Sequence, residues 1–397
     1  MSTQSAKAVK QPVDHGENTP LSKKRSKNHP NPLAAGPTAL APRTKRQIAS
    51  KLLDWYDSEQ RELPWRAKPG EMPNPYHVWL SEIMLQQTVV KSAAPYFVKF
   101  ITLWPTIEEL AKADLEEIRS AWAGLGYYTR AANLHKCAKL IVNDYDGKFP
   151  IFAEELETLP GIGPYTAAAI AAIAFDETTT PVDGNIERLV ARLFAIETPL
   201  PTAKPEIKTW AQTLTPPRRA GDFAQAQMDL GATICTPKNP SCLLCPLAKH
   251  CIAHKQGIAA HLPRRVAKKP KPTRYGTAFF ALREDGKVLL RQRPEGGLLG
   301  GMTEVPSTEW QEAPVTGKKA LKSPPLKGKW WQVPGVVKHT FTHFHLELTV
   351  YRLIAKEQAT LTLFAEPSRC KWVNRDELAD EALPSVMRKI IAHAQNE

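Results

Sequence analysis

Two periods divide the chain. From Arg46 to about Gly257, apolar residues recur three and four apart, as in "RQIASKLLDWYDSEQ", "AAPYFVKFITLW" and "DLEEIRSAWAGL". That spacing puts them on one face of a helix. After the Pro- and Lys-rich stretch that follows, the period shortens to two. "TAFFAL", a turn at "REDGK", and "VLLRQR" predict a β-hairpin, and "FHLELTVYRL" predicts a further strand. "DEL" and "SVMRKIIAHA" read as short helices. The chain is therefore multidomain, with an all-α domain over residues 47–257, a linker over 258–273 and a smaller α+β domain over 274–397. Residues 1–46 are polar, Pro-rich and without a period, so they read as a disordered tail.

One helix breaks its own pattern. Asn74 and Pro75 suit an N-cap and first-turn pair ahead of "WLSEIMLQQT", residues 79–88. Trp79, Leu80, Ile83, Met84 and Leu85 make it apolar, yet Glu82 stands among them. Such a glutamate is either a solvated face or a buried acid kept for a task.

Charge adds a partner. The net charge is +13, and residues 1–46 hold nine Lys or Arg against Asp14 and Glu17. "LPRRVAKKPKPTR", residues 262–274, adds six basic residues and no acid, which leaves the remainder neutral. Basic charge confined to a tail and a linker points to a polyanion, most often nucleic acid, although such segments also aid solubility. No run reaches the length of a membrane span, and the first apolar cluster comes too late for a secretory signal. An intracellular chain is expected, cytoplasmic and nucleoid-associated in the favoured case of a bacterial source.

Three motifs carry chemistry. Cys235, Cys242, Cys245 and Cys251 form C-x6-C-x2-C-x5-C within seventeen residues, enough thiolates to wrap one cation or cluster. Zinc ribbons pair two C-x2-C knuckles and only one is present, so the uneven loop suits a 4Fe–4S cluster better, with zinc as the competitor. Cys137 and Cys370 have no visible partner and are expected to be buried, inert thiols. In "LETLPGIGPYTAAAI", a short helix ends at Leu159, Gly161 and Gly163 make a tight turn, and Pro164 opens a second helix. Such a hairpin can present backbone N–H groups to a DNA phosphate or be an ordinary αα-hairpin. In "TPVDGNIERLVARL", Asp183 can cap the following helix.

The order of these segments, with "GLGYYTRAANL" between the first helix and the hairpin, resembles the helix–hairpin–helix DNA glycosylases of the Gly/Pro-rich-loop-plus-Asp type over roughly residues 47–257. In that family the four cysteines hold a structural or DNA-sensing 4Fe–4S cluster. Its endonuclease III-like branch carries a catalytic lysine directly before the Thr of the hairpin. Here that position is Tyr165, so no Schiff base can form there. Glu82, "LPWR" (63–66) and "GLGYY" (124–128) instead resemble the adenine branch, the MutY-like enzymes. "RPEGGLLGG" and "KHTFTHFHL" resemble that branch's Nudix-like domain, which inspects 8-oxoguanine. No glutamate-rich Nudix box follows "GGMTEVP", which implies recognition rather than hydrolysis. The recognition loop reads Phe341-Thr342-His343 where the family usually has Phe-Ser-His, and "GGLLGG" has leucine where tryptophan is frequent.

The resemblance implies a monomeric, monofunctional adenine DNA glycosylase acting in base excision repair on duplexes with adenine opposite 8-oxoguanine or guanine. Gln87, Thr88, Leu125 and Tyr127 would wedge into the duplex. Trp65, Arg66 and Gln225 would line the adenine pocket. Glu82 would be the general acid at adenine N7, its pKa raised by burial. Asp183, kept ionised by helix amides, would stabilise the oxocarbenium ion, with Tyr165 and Asn185 in support. A carboxylate spacing of roughly 5 Å would imply retention. The competing readings are a thymine or uracil mismatch glycosylase of the same fold and a catalytically silent DNA-binding iron–sulfur protein. Glu82 and the C-terminal domain argue against the first, the intact carboxylates against the second.

Overall fold

Helix α1 (Pro42–Glu59) is the first element among the described residues and has proline in its first turn, where the missing N–H costs nothing. The computed structural model describes residues 40–267, 270–314 and 317–395. Most of the expected basic tail lies outside them, but residues 42–46, read as part of it, are helical. Six helices then precede the hairpin: α2 (Pro75–Leu85), α3 (Val90–Leu103), α4 (Ile107–Lys112), α5 (Leu115–Trp122), α6 (Thr129–Asp144) and α7 (Ala153–Leu156). Five follow it: α8 (Pro164–Phe175), α9 (Gly184–Leu193), α10 (Lys204–Leu214), α11 (Ala220–Thr233) and α12 (Ile252–Lys255). Among the described residues, no helix is long and apolar enough to cross a membrane.

Two apolar clusters organise these helices. One gathers Trp79, Leu80, Met84, Phe97, Phe100, Trp122 and Ile170 from α2 to α8. The other gathers Leu52, Tyr56, Ile186, Val190, Trp210 and Leu230 from α1, α9, α10 and α11. Each fully buried side chain of this size stabilises the fold by roughly 1.5–3 kcal/mol. Helix α11 packs on both α8 and α9 and joins the clusters, and two glycines let it approach. A Cβ at Gly221 would lie 2.4 Å from the Ala172 carbonyl, and one at Gly231 would lie 2.6 Å from Asn185 Cβ.

The C-terminal unit is a mixed sheet. Strands β1 (Thr273–Arg283) and β2 (Lys287–Gln292) form the expected hairpin, with Leu282 opposite Val288. Beyond them run β3 (Thr303–Glu304), β4 (Trp331–Gln332), β5 (Val337–Thr340), β6 (His345–Ala355) and β7 (Cys370–Asn374). The order is β3-β2-β1-β6-β4, with β5 added to β6 and β7 to β2. At its centre β1 and β6 run parallel, in register from Thr273–His345 to Arg283–Ala355. Helix α13 (Ser385–Gln395) packs on β1, β5 and β6, and "DEL" lies in a 3-10 turn, Arg375–Ala379.

The basic linker is not all linker. The Leu200 amide donates to the Arg264 carbonyl at 2.8 Å, Arg192 donates to the Leu262 carbonyl, and Ala259 and Leu262 are buried. Residues 258–266 thus belong to the helical packing that the expected boundary at 257 left out.

Candidate active site

Asn74 caps α2 through Oδ1, which accepts from the amides of Tyr76 at 2.9 Å and His77 at 3.4 Å. The helix is apolar nearly all round and therefore buried, and it carries Glu82 inward with it, 6% exposed. Burial pushes the Glu82 carboxyl from the ordinary 4.5 up to about 7. The Tyr165 hydroxyl, donating to it, pulls the other way, and the charge of Asp183 adds to the rise. The solvated-face alternative for Glu82 is thereby removed.

Asp183 caps α9. Its Oδ1 accepts from the amides of Asn185 at 2.9 Å and Ile186 at 2.7 Å, and its Oδ2 accepts from Asn185 Nδ2 at 2.7 Å. The helix amides were expected to keep this group low. Burial nevertheless raises it from its ordinary value, against the Ile186 amide, Asn185 and Arg188. The two carboxyls still differ in what opposes their burial: Glu82 has one hydrogen-bond donor, Asp183 has several and a nearby cation. Burial holds the Tyr165 phenol neutral, with both carboxylates adding to the effect.

Glu82 opens onto a cavity of about 620 Å³, large enough for a nucleobase, lined also by Trp65, Arg66, Gln225 and Ser81. Asp183 and Tyr165 are outside its lining and meet it through Glu82. Arg66 is committed elsewhere: Nη1 and Nη2 donate to Asp229 at 2.6 and 3.0 Å. Arg61 donates to the same carboxylate through Nε at 2.7 Å and its backbone amide at 3.0 Å. The side chain of Asp229 is 0% exposed, so this pairing holds the cavity wall. Sequence reasoning missed Asp229, although "QMDLGAT" shows the same signal as Glu82, one acid on an apolar helix.

The duplex-facing residues divide. Gln87 is exposed with φ 59°, and Tyr127 is 43% exposed with φ 51°. Thr88 is half-buried and accepts from Arg130 Nη2 at 3.2 Å. Leu125, unlike the other three, is 7% exposed and packed into the core. Arg130, also missed, donates through Nη1 to the carbonyls of Ile83 at 2.7 Å and Met84 at 2.9 Å, and through Nη2 to Gly126 at 3.0 Å. It thereby ties the end of α2 to the loop before Tyr127. In the hairpin, Gly161 has φ 80° and a Cβ there would lie 2.9 Å from Asn133 Cβ, so only glycine fits. Gly163 is different. It has ordinary negative φ and open space beside it, and α8 has no side-chain cap, so the first-turn amides have no side-chain acceptor.

Phe341 packs against Trp310, His339 and Phe344, His343 is exposed, and the Thr342 and Tyr127 hydroxyls are hydrogen-bonded to each other. The recognition loop and a wedge residue from the other unit therefore touch.

Cys235, Cys242, Cys245 and Cys251 line one small cavity against α9, with Leu189, Leu193 and Ala259. Arg192 donates to Cys235 Sγ at 3.3 Å and to the carbonyl of Thr236 at 2.7 Å, and Arg188 Nε donates to that of Cys235 at 2.7 Å. Helix α9 therefore carries Asp183 at one end and the arginines of the cysteine loop along its length. Among the described residues no three His, Cys, Asp or Glu side chains form a group placed to hold a metal ion. Cys137 is fully buried as expected, but Cys370 is only half-buried on β7.

Two family models match the chain. The family described as HhH-GPD superfamily base excision DNA repair protein matches residues 80–214, and the NUDIX domain family matches residues 277–393. The adenine DNA glycosylase of Homo sapiens is 36% identical over 397 residues, covering 85% of this chain and 72% of that protein. That of Buchnera aphidicola subsp. Acyrthosiphon pisum is 32% identical over 351 residues, covering 88% and 97%. A solved thermostable thymine-DNA glycosylase is 28% identical with a TM-score of 0.48, covering 53% of this chain and 97% of that one.

Proposed function

Because the chain belongs to the adenine DNA glycosylases, base excision repair enzymes that bind DNA and hydrolyse N-glycosidic bonds, we propose that Glu82 and Asp183 carry out that hydrolysis on adenine opposite 8-oxoguanine or guanine. An adenine inside a duplex is out of reach, so the nucleotide must be flipped out. The 620 Å³ cavity lined by Glu82, Trp65, Arg66 and Gln225 supports a base pocket there. Adenine leaves poorly as an anion. Glu82, with a pKa of about 7, keeps enough acid form at neutral pH to protonate N7. As the bond breaks, Asp183 stabilises the oxocarbenium ion, and water completes the reaction. Asn185 orients Asp183, and the Tyr165 hydroxyl donates to Glu82. With tyrosine at that position there is no amine for a Schiff base, which supports a monofunctional enzyme.

The observation that carries this reading is Glu82 itself, a buried acid hydrogen-bonded to Tyr165, coupled to Asp183 and open to a base-sized cavity. Duplex contact falls to Gln87, Thr88 and Tyr127, with a phosphate at the uncapped amides beyond Gly161 and Gly163. The loop Phe341–His343 reads 8-oxoguanine. The enzyme acts as a monomer, and in a bacterial cell it works on the nucleoid in the cytoplasm.

The four cysteines fit a 4Fe–4S cluster. All four line one cavity against α9, and Arg192, which donates to Cys235 Sγ, would offset part of the charge of four thiolates. Bound there, the cluster would hold the loop against α9, with no part in the bond breaking. Incubation with duplexes carrying A opposite 8-oxoguanine, A opposite G and T opposite G, followed by alkali, tests the function. Strand breaks are expected in the first two, and breaks confined to the third would overturn it.

A further inference from the structure

The C-terminal unit grips the stretch 116–128 of the helical unit, where Gln292 Nε2 donates to Glu116 at 3.0 Å. Arg119, near the end of α5, donates through Nη1 to Glu116 and through Nη2 to Glu295 of the other unit, each at 2.5 Å. Ser120 Oγ donates to the Asp380 carbonyl at 2.5 Å. Tyr127 bonds to Thr342, and the Tyr128 hydroxyl accepts from the amide of Ser385 at the start of α13. The apolar core also runs through from Trp122 and Leu125 to Leu299, Met302 and Phe344.

Apolar contact alone does not fix an orientation, because it is non-directional. Arg119 does. Its side chain is 3% exposed, while those of Glu116 and Glu295 are 53% and 71% exposed. A cation buried at a seam is costly in any register that leaves it unpaired. A planar guanidinium held by two carboxylates also tolerates little rotation. The seat is shaped as well as charged: a Cβ on Gly301 would lie 2.3 Å from Arg119 Nη2, and Gly301 has φ 71°.

We propose that Arg119, paired with Glu295 and seated on Gly301, is the positioning residue that sets the recognition loop 341–343 against Tyr127 and so sets the preference for 8-oxoguanine over guanine. This rests on the reading that the loop inspects 8-oxoguanine. Neither Arg119 nor Glu295 lines the base cavity, so excision itself does not depend on them.

The test uses the full chain and the ratio of single-turnover excision, with enzyme in excess of the duplex but below saturation, of A opposite 8-oxoguanine to A opposite G. Phosphate contacts common to both duplexes cancel in that ratio. Glu295→Lys, a change at an exposed side chain, and Gly301→Ala, which alters no charge, should each lower the ratio roughly tenfold, the loss of one charge-assisted contact. The fall should appear in the half-saturating concentration for the 8-oxoguanine duplex, with the saturated rate on A opposite G unchanged. Arg119→Gln should do the same and Arg119→Lys should recover part of it. A Thr342→Ala/His343→Ala double variant reports on the underlying reading. If it lowers the ratio while Glu295→Lys and Gly301→Ala do not, the positioning role is overturned. If it too leaves the ratio unchanged, the recognition reading falls first.

Discussion

Glu82→Gln should make the protein more stable while disabling it, and the size of the gain follows from burial. The gap between an ordinary 4.5 and about 7 for the Glu82 carboxyl corresponds to roughly 3 kcal/mol of charge-burial cost. The sign follows from proton counting. Between about 4.5 and 7 the folded protein holds a proton that the unfolded chain has released, so stability falls as pH rises through that window. Above pH 7 the whole cost is present; below 4.5 there is none. Glutamine has the same shape, accepts from the Tyr165 hydroxyl and cannot ionise. Relative to the parent, the variant should therefore gain roughly 3 kcal/mol between pH 4.5 and pH 8, whatever constant offset the amide brings. Urea unfolding of both proteins at several pH values measures this, and titrating groups common to both cancel in the difference. A difference that stays constant with pH would mean Glu82 titrates like a surface acid, and the argument from burial would be refuted.

Other expectations follow from the same geometry. Asp183→Asn keeps a capping side chain on α9, so stability should change little, while single-turnover excision falls by roughly 10²–10³-fold for want of an anion beside the oxocarbenium ion. Tyr165→Phe removes the one donor that lowers the Glu82 pKa, so the alkaline limb of the excision profile should move upward from about 7; Tyr165→Lys should permit borohydride trapping to DNA that the parent does not show. Asp229→Ala strands Arg66 in the cavity wall and should cost roughly 3–5 kcal/mol by thermal unfolding. Although burial raises the Asp229 carboxyl, Arg66 and Arg61 hold it below its ordinary value, so the stability it contributes is present above about pH 4 and lost on further acidification. Purified protein should absorb broadly near ~400 nm and lose that band when the cluster is removed; a colourless protein with one zinc would exclude the cluster.

Much of this site was legible because its signals are local. Glu82 stands out within ten residues of apolar sequence, Asp183 is a cap readable from the helix it begins, and the cysteines declare themselves by spacing. The period of two revealed the β1–β2 hairpin and β6. What was hidden depends on partners distant in sequence. Asp229 meets Arg61 168 positions away, and Arg119 meets Glu295 across 176. Composition misled at 258–266, where a basic stretch reads as linker although its backbone pairs with Leu200. Leu125 sits in a Gly-rich loop without a period, so nothing in the pattern shows that it turns into the core. Nor does a helix cap reveal how deeply it is buried, which is why Asp183 titrates higher than its amides alone imply.

The central claim is that Glu82 delivers the proton to adenine. Single-turnover excision by Glu82→Gln on a duplex with A opposite 8-oxoguanine tests it directly, with binding measured in parallel. Near-parental binding with excision slowed by roughly 10²–10⁴-fold is the predicted result, the usual contribution of a general acid. Excision at close to the parental rate would show that another group supplies the proton and would contradict the account.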